Sequence, residues 1–354
     1  MPNQTPRGVL EDADLNRLQH LLQMSSKTYA LCIPLLPRQL QEAVIISYLL
    51  LRNADTLEDD VKLPVAKRIR LLTEYARAVE RLNSAEGISA VEHLLTDYGE
   101  LDFAEPAMTD LFYQSAFIAR QLQVLPPETV RLVIKEINRT ARAMIHWLKR
   151  EGGGGLGIVR LKQLEDYCYA AAGILGELLT GLFCRYSPQI DQERQMYLRT
   201  LEIGFANGLQ LANIIKDSAE DRLSGKSFIP TDFLVTDSDG AVRLKAPLFG
   251  MAYRYLAWGV EYAMAIPPQE AGIRQFCLLP IMLAAGALNK ALADYQGSNF
   301  PLKAGVGQIG VADLMVLIEN AATDNRRISQ LWQHCSSNFR LYSQRFNDGA
   351  LCTM

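Results

Sequence analysis

Along most of this chain apolar residues recur every three or four positions, a period that fits α-helices and leaves little room for other elements. The pattern runs through Leu15–Leu22, Leu40–Asp59, Val65–Arg81, Thr109–Gln123, Pro127–Lys149, Leu161–Phe183, Gln192–Glu220, Pro247–Ala265, Ile273–Tyr295 and Val311–Phe346. Alternating Val, Ile and Thr, the mark of a half-buried strand, is nearly absent. An all-α fold is expected. The interruptions at Pro34–Pro37, Glu151–Gly157, Tyr186–Ile190, Ser224–Gly240, Ile266–Glu270 and Gly297–Gly310 are too short and mixed to be interdomain linkers. No repeat of fixed period is evident. One domain over residues 1–354 is expected, with residues 1–14 as a polar, mobile N-terminal segment.

Charge is nearly balanced, 36 basic against 39 acidic residues, with no basic stripe, which argues against a nucleic-acid partner. The six cysteines (Cys32, Cys168, Cys184, Cys277, Cys335, Cys352) form no CxxC pair, and the four histidines show no metal-ligand spacing. Free thiols in a reducing compartment are the simpler reading. The N-terminus lacks the apolar core of a signal peptide, and no charge-free stretch of about 18 apolar residues stands out as a transmembrane segment. A cytoplasmic location is expected. The run Gly152-Gly153-Gly154-Gly155 follows a helix and lacks the Gly-Lys-Ser/Thr of a phosphate loop, so it reads as a helix connection.

Two acidic clusters break the apolar pattern: Asp55-Thr-Leu-Glu58-Asp59-Asp60 and Asp217-Ser-Ala-Glu220-Asp221. An uncompensated carboxylate is expensive to bury, yet both clusters lie in long apolar helical stretches. Each places two aspartates four residues apart, on one helix face. At about 100° per residue Tyr48, Arg52, Asp55 and Asp59 fall within an arc of roughly 60°, with Glu58 to one side. Gln210, Asn213, Asp217 and Asp221 share an arc of roughly 80°. Carboxylates and amides on one face suit Mg²⁺, which takes oxygen ligands and keeps positions for phosphate oxygens. Two such faces opposite one another could clamp a diphosphate, with Arg52, Lys216 and Lys226 neutralising the remaining charge. The alternative is that the acids are solvated helix ends. Between the clusters, Tyr167-Cys168-Tyr169-Ala170-Ala171-Ala172-Gly173 offers small residues that serve either close helix packing or a ligand cavity.

These residues resemble the squalene and phytoene synthases, which join two prenyl diphosphates head to head. Tyr48 to Asp60 is similar to the first aspartate-rich motif in its squalene-synthase form. Asn213-Ile-Ile-Lys216-Asp217-Ser-Ala-Glu220-Asp221, followed by Gly225-Lys226-Ser-Phe-Ile-Pro230, is similar to the second. Ser26-Lys27-Thr28-Tyr29 resembles an early diphosphate-binding segment, and Phe276-Cys277-Leu-Leu-Pro280 a cavity-lining helix. The resemblance implies an isoprenoid-synthase helical bundle around a central cavity. It implies Mg²⁺ held by Asp55, Asp59, Asp217 and Asp221, with Glu58 and Glu220 as further ligands. Substrate contacts would come from Ser26, Lys27, Thr28, Tyr29, Gln210, Asn213, Lys216, Lys226, Ala170, Gly173 and Phe276. Tyr48, Arg52, Tyr169 and Tyr167 are the candidate catalytic side chains. The implied reaction condenses two farnesyl diphosphates through presqualene diphosphate to squalene, with NADPH as reductant. A greasy product would leave at a membrane surface.

Three departures leave the product open. The tyrosine that animal squalene synthases carry aligns with Ala170. The segment resembling the nicotinamide flap offers only Lys303 before Ala-Gly-Val-Gly-Gln-Ile-Gly. Lys27, Lys216 and Lys226 stand where arginines are usual, keeping charge but losing bidentate geometry. Dehydrosqualene and phytoene synthases, which act without reduction, are the alternatives in this family. A terpene cyclase or head-to-tail prenyltransferase fits the second motif's tail less well. A non-catalytic assembly or binding protein would be expected to have lost acidic residues that are intact here.

Overall fold

The computed structural model describes residues 9–97, 103–151, 158–223, 225, 227–236, 240, 242–296 and 309–344. Lys226, Lys303, the glycine run from Gly152 and Cys352 lie outside them. The chain divides into two compact units: residues 1–153 with 177–188, and residues 154–176 with 189–354.

The first unit contains α1 (Asp12–Ser25), α2 (Tyr29–Cys32), a 3₁₀ turn (Ile33–Leu35), α3 (Arg38–Asp59), α4 (Val65–Val79), α5 (Ala85–Asp97), α6 (Pro106–Tyr113), α7 (Ser115–Leu122) and α8 (Pro127–Glu151). It also takes in α10 (Ile174–Tyr186) from Glu177 onward. Helix α1 begins at Asp12, so the polar segment gives way to helix earlier than its composition indicates. Helix α3 packs against α1, α4, α6, α7 and α8, which is why it is apolar on nearly every side. Its neighbours meet it with leucines at helical spacing and with Tyr75, whose hydroxyl donates to the Leu50 carbonyl at 2.7 Å. Phe103 and Phe112 pack edge to face at 5.3 Å in the same core.

Helix α5 and the break between α6 and α7 are not evident in the periodicity. Close approach permits the first: a Cβ on Gly87 would stand 2.1 Å from the Arg81 carbonyl oxygen. Side-chain competition explains the second, since the Ser115 hydroxyl donates to the Phe112 carbonyl at 2.5 Å and accepts from Asn53 at 2.9 Å.

The second unit holds α9 (Leu161–Cys168), a π-helical turn (Tyr169–Gly173), α11 (Gln192–Leu223), a 3₁₀ turn (Thr231–Phe233), α12 (Ala246–Ala265), α13 (Ala271–Gln296), α14 (Val311–Ala321) and α15 (Asn325–Gln344). A hairpin interrupts the helical pattern: β1 (Leu234–Thr236) pairs antiparallel with β2 (Val242–Leu244), Leu234 opposite Leu244. Helix α11 packs on α9, the π turn, α12 and α13. Phe205 of α11 stacks on Tyr262 of α12 at 5.0 Å, with 8° between the rings. The expected single helix from Val311 divides because the Asp324 carboxylate accepts from the Arg326 N–H at 2.8 Å, capping α15. Asn289 clasps α15 from α13, donating to the Cys335 carbonyl at 2.7 Å and accepting from the Phe339 N–H at 3.2 Å. Pro280 within α13 has no N–H for the Phe276 carbonyl.

Two stretches, Leu161–Tyr186 and Ala271–Ala293, are long and apolar enough to cross a membrane, with mean hydropathies of 1.4 and 1.7. The expectation from sequence, which required a charge-free run, passed over both. Over the most apolar 18 residues of each, 56% and 67% are buried within the protein, as in core helices.

Arg274 is 1% exposed and holds three helix ends together. Its guanidinium donates to the carbonyls of Met264 at 2.8 Å, Ile266 at 2.7 Å and Ala322 at 2.9 Å, at the C-termini of α12 and α14. Burial lowers its pKa to about 10, so it stays charged at neutral pH. Arg274→Met should therefore cost about 3 kcal/mol by orphaning three buried carbonyls. Chemical denaturation would read this, and Arg274→Lys should restore less than half, because one ammonium cannot span three acceptors.

Candidate active site

Between Leu40 and Leu57 every α3 residue is buried except Tyr48, Arg52 and Asp55. The expected stripe is thus the only opening along that stretch. Arg52 Nη1 lies 3.8 Å from Asp55 Oδ2, and the two side chains retain 29% and 27% exposure. The Arg52 Nε is buried with no hydrogen-bond partner. Desolvation pushes the Asp55 carboxyl up to about 7, Arg52 pulls it down, and the neighbouring Asp59 charge pushes it up again.

Tyr29 and Tyr48 pack at 5.0 Å beside this pair. The Tyr48 hydroxyl donates to the Ser25 carbonyl at 3.4 Å, while the Ser26 hydroxyl accepts from the Tyr29 N–H at 3.0 Å. Burial raises both tyrosine pKa values, so both hydroxyls stay protonated. Ser26, Tyr29, Tyr48, Arg52 and Asp55 are therefore one cluster. Thr28 is half-buried at the start of α2, and Lys27 is exposed. Glu58 is half-buried and Asp59 exposed at the end of α3. Asp60 serves the fold instead: it is 6% exposed and accepts from the N–H groups of Lys62 at 2.8 Å and Ala104 at 2.6 Å.

On α11 the second stripe emerges from a buried run. Gln210, Asp217 and Asp221 are half-buried, whereas Asn213, Lys216 and Glu220 are exposed. Lys216 Nζ is 3.3 Å from Asp217 Oδ2. A small cavity at this end of α11 is lined by Ser218, Asp221, Arg222, Ser227 and Phe228, among others. Arg222 Nη1 is buried there without a partner. The sequence reading missed Arg222, because an arginine in the last turn of a helix is explained by the helix dipole alone.

The remaining candidates separate. Tyr167 packs its ring on Phe228 at 5.0 Å. Tyr169, two residues on, instead lies back over Gly173. Ala170 is 8% exposed and Phe276 2% exposed. Asn207, one turn before Gln210, was not singled out from sequence; it is 4% exposed and its Oδ1 has no partner.

Among the described residues no three His, Cys, Asp or Glu side chains converge as a complete cation cage. Mg²⁺ does not need one, since it takes one or two carboxylates and keeps its other positions for water and phosphate oxygens. The donor set fits: paired carboxylates, one of them held near neutrality by burial, each beside a buried guanidinium nitrogen with nothing to donate to. The segment expected from sequence to contact NADPH, Lys303 to Gln308, lies outside the described residues.

Residues 22–299 match the family described as squalene/phytoene synthase. The chain is 25% identical over 289 residues to squalene synthase of Schizosaccharomyces pombe, covering 78% of this chain and 59% of that protein. It is 25% identical over 293 residues to squalene synthase of Eremothecium gossypii, covering 78% and 62%. It thus spans about three-fifths of the length of these relatives. A solved complex of TcSQS with the ligand E5700 superposes with a TM-score of 0.72 at 20% identity, covering 97% of this chain and 94% of that one. That likeness shows a shared all-α fold. The chain belongs to the squalene/phytoene synthase family.

Proposed function

We propose that this protein is a prenyltransferase-type enzyme that condenses two farnesyl diphosphates head to head through presqualene diphosphate, with squalene as product. The observation that carries the reading is the α3 stripe, where Tyr48, Arg52 and Asp55 alone interrupt a buried run and the Arg52 Nε lacks a partner. Polar capacity left unmet in an apolar setting costs stability, and a ligand that meets it is the economical explanation. The names of the relatives add support.

In this reading Asp55 and Asp59 of α3, and Asp217 and Asp221 of α11, would hold Mg²⁺, with Glu58 and Glu220 as further ligands. The metal supplies Lewis-acid stabilisation of the departing diphosphate. Arg52, Lys216 and Arg222 donate to diphosphate oxygens, so that charge developing on the leaving group is met by fixed donors. The apolar faces around the stripes exclude water from the allylic cation. With NADPH as hydride donor the product would be squalene, whereas proton loss would give a dehydrosqualene-type product.

Incubation with farnesyl diphosphate and Mg²⁺ should yield C30 hydrocarbon, and chelation should abolish it; squalene should require NADPH. Geranylgeranyl diphosphate tests the phytoene alternative. Absence of any C30 product would sink the proposal. Asp55→Asn and Asp217→Asn should each lower turnover by about 10²-fold or more.

Asp55 also yields a stability prediction of opposite sign. Its carboxyl titrates near 7 when folded, against about 3.9 in an unfolded chain. Between those values the folded state binds more protons, so stability falls as pH rises through the window. Asp55→Asn should then stabilise the metal-free protein by on the order of 1 kcal/mol at pH 8, partial exposure reducing the gain. Melting at pH 5 and pH 8 should show the larger gain at pH 8.

A further inference from the structure

The π-helical turn Tyr169–Gly173 is the one irregularity in the run from α9 into α10. A π turn widens the helix by one residue, is intrinsically unfavourable, and is found mostly where function holds it in place. Four small residues, Ala170 to Gly173, fill it. The Tyr169 ring folds back over the last of them: a Cβ on residue 173 would stand 2.5 Å from Tyr169 Cδ2 and 3.2 Å from its Cγ. Only glycine leaves the ring that position.

The same point lies 3.0 Å from Asn207 Oδ1, so the ring and the amide oxygen close on the same bare side of Gly173. Asn207 is 4% exposed, and this oxygen has no hydrogen-bond partner. A buried unpaired acceptor weakens a fold, so its presence calls for another account. An amide oxygen is attracted to the electropositive edge of an aromatic ring, so a shared place beside Gly173 lets Asn207 bias the ring's orientation. Helix α11 brings Asn207 to this place because glycines draw it close to its other neighbours. Gly204 lies against the Trp258 ring, and Gly208 against the backbone at Tyr255 and Leu256. Asn207 is on the face of α11 that continues through Gln210 to Asp217, about 15 Å further along the helix.

We propose that Asn207 and Gly173, together with the π turn, are positioning residues that set the orientation of Tyr169 for the steps after ionisation, where an aromatic side chain steers the fate of a carbocation. The proposal rests on the prenyl condensation put forward above. Asn207 acts through Tyr169 and not on substrate, and Gly173, expected from sequence as a substrate contact, acts here through the ring that lies against it. The orientation of Tyr169 governs which product forms and how fast, while the diphosphate and metal groups govern binding.

The test uses full-length protein labelled with 3-fluorotyrosine, the Tyr169 resonance being assigned by its loss in Tyr169→Phe. Asn207→Leu, close in size and without the acceptor, should shift that resonance. It should melt at or above wild type, because an unpaired polar atom has gone. Its kcat on farnesyl diphosphate should fall at least about tenfold with KM unchanged within about threefold, and prenyl alcohols should rise relative to C30 product. Gly173→Ala should displace the same resonance by pushing on the ring. An unmoved resonance in both variants would overturn the proposal, as would unchanged kcat and product ratio in Asn207→Leu. So would a melting point for Asn207→Leu more than about 5 °C below wild type, which would reveal a structural partner for the amide. If wild-type protein makes no C30 hydrocarbon, the reaction assignment fails, while the fluorine shifts still decide whether Asn207 and Gly173 position Tyr169.

Discussion

The Arg52–Asp55 pair is the interaction on which the site in the first unit depends. Helix α3 buries its leucines and isoleucines against five neighbouring helices, and that burial makes the groups of the stripe electrostatically expensive. Two charges in such surroundings recover part of their lost hydration from each other, but at 3.8 Å and with the Nε unpaired they do not recover all of it. The deficit appears as a carboxyl whose proton is lost only near neutrality. The same apolar packing that makes the stripe costly would keep water away from a cation formed beside it. Stability and chemistry therefore draw on one set of contacts.

The second unit repeats the principle with different means. Helix α11 runs for 32 residues and is packed closely through glycines near its middle, then opens its polar face toward its C-terminal end. Asp217 is more exposed than Asp55, 46% against 27%. Lys216 and the buried nitrogen of Arg222 accompany the carboxylates. The first stripe has a pre-formed, desolvated character, and the second is a more open face with basic groups at hand.

Much of this was legible in the sequence because helical period and side-chain charge are local properties. The long helices α3, α8, α11, α12 and α13 all follow from apolar spacing, and both acidic stripes fall on the faces their numbering indicates. What escaped depends on contacts between residues distant in sequence. The α6–α7 break needs Asn53 to meet Ser115, and the end of α14, beside the local Asp324 cap, is also held by Arg274 on the Ala322 carbonyl. The π turn was invisible, since three alanines and a glycine continue an α-helix equally well on paper. Asn207 read as an ordinary polar residue until its oxygen proved to be enclosed. Asp60 shows the reverse: it belongs to the acidic cluster by sequence and to the loop's hydrogen bonding by structure.

If both stripes exist to receive a diphosphate through Mg²⁺, the two ligands must depend on each other. Thermal melting of the wild-type protein with inorganic diphosphate, Mg²⁺, both or neither measures that dependence directly, because a ligand selective for the folded state raises the midpoint in proportion to its binding. The pair together should raise the midpoint by several degrees, and diphosphate alone by much less. An equal rise from diphosphate with and without Mg²⁺ would contradict a metal-bridged site, leaving the arginines and lysines as a plain anion-binding surface.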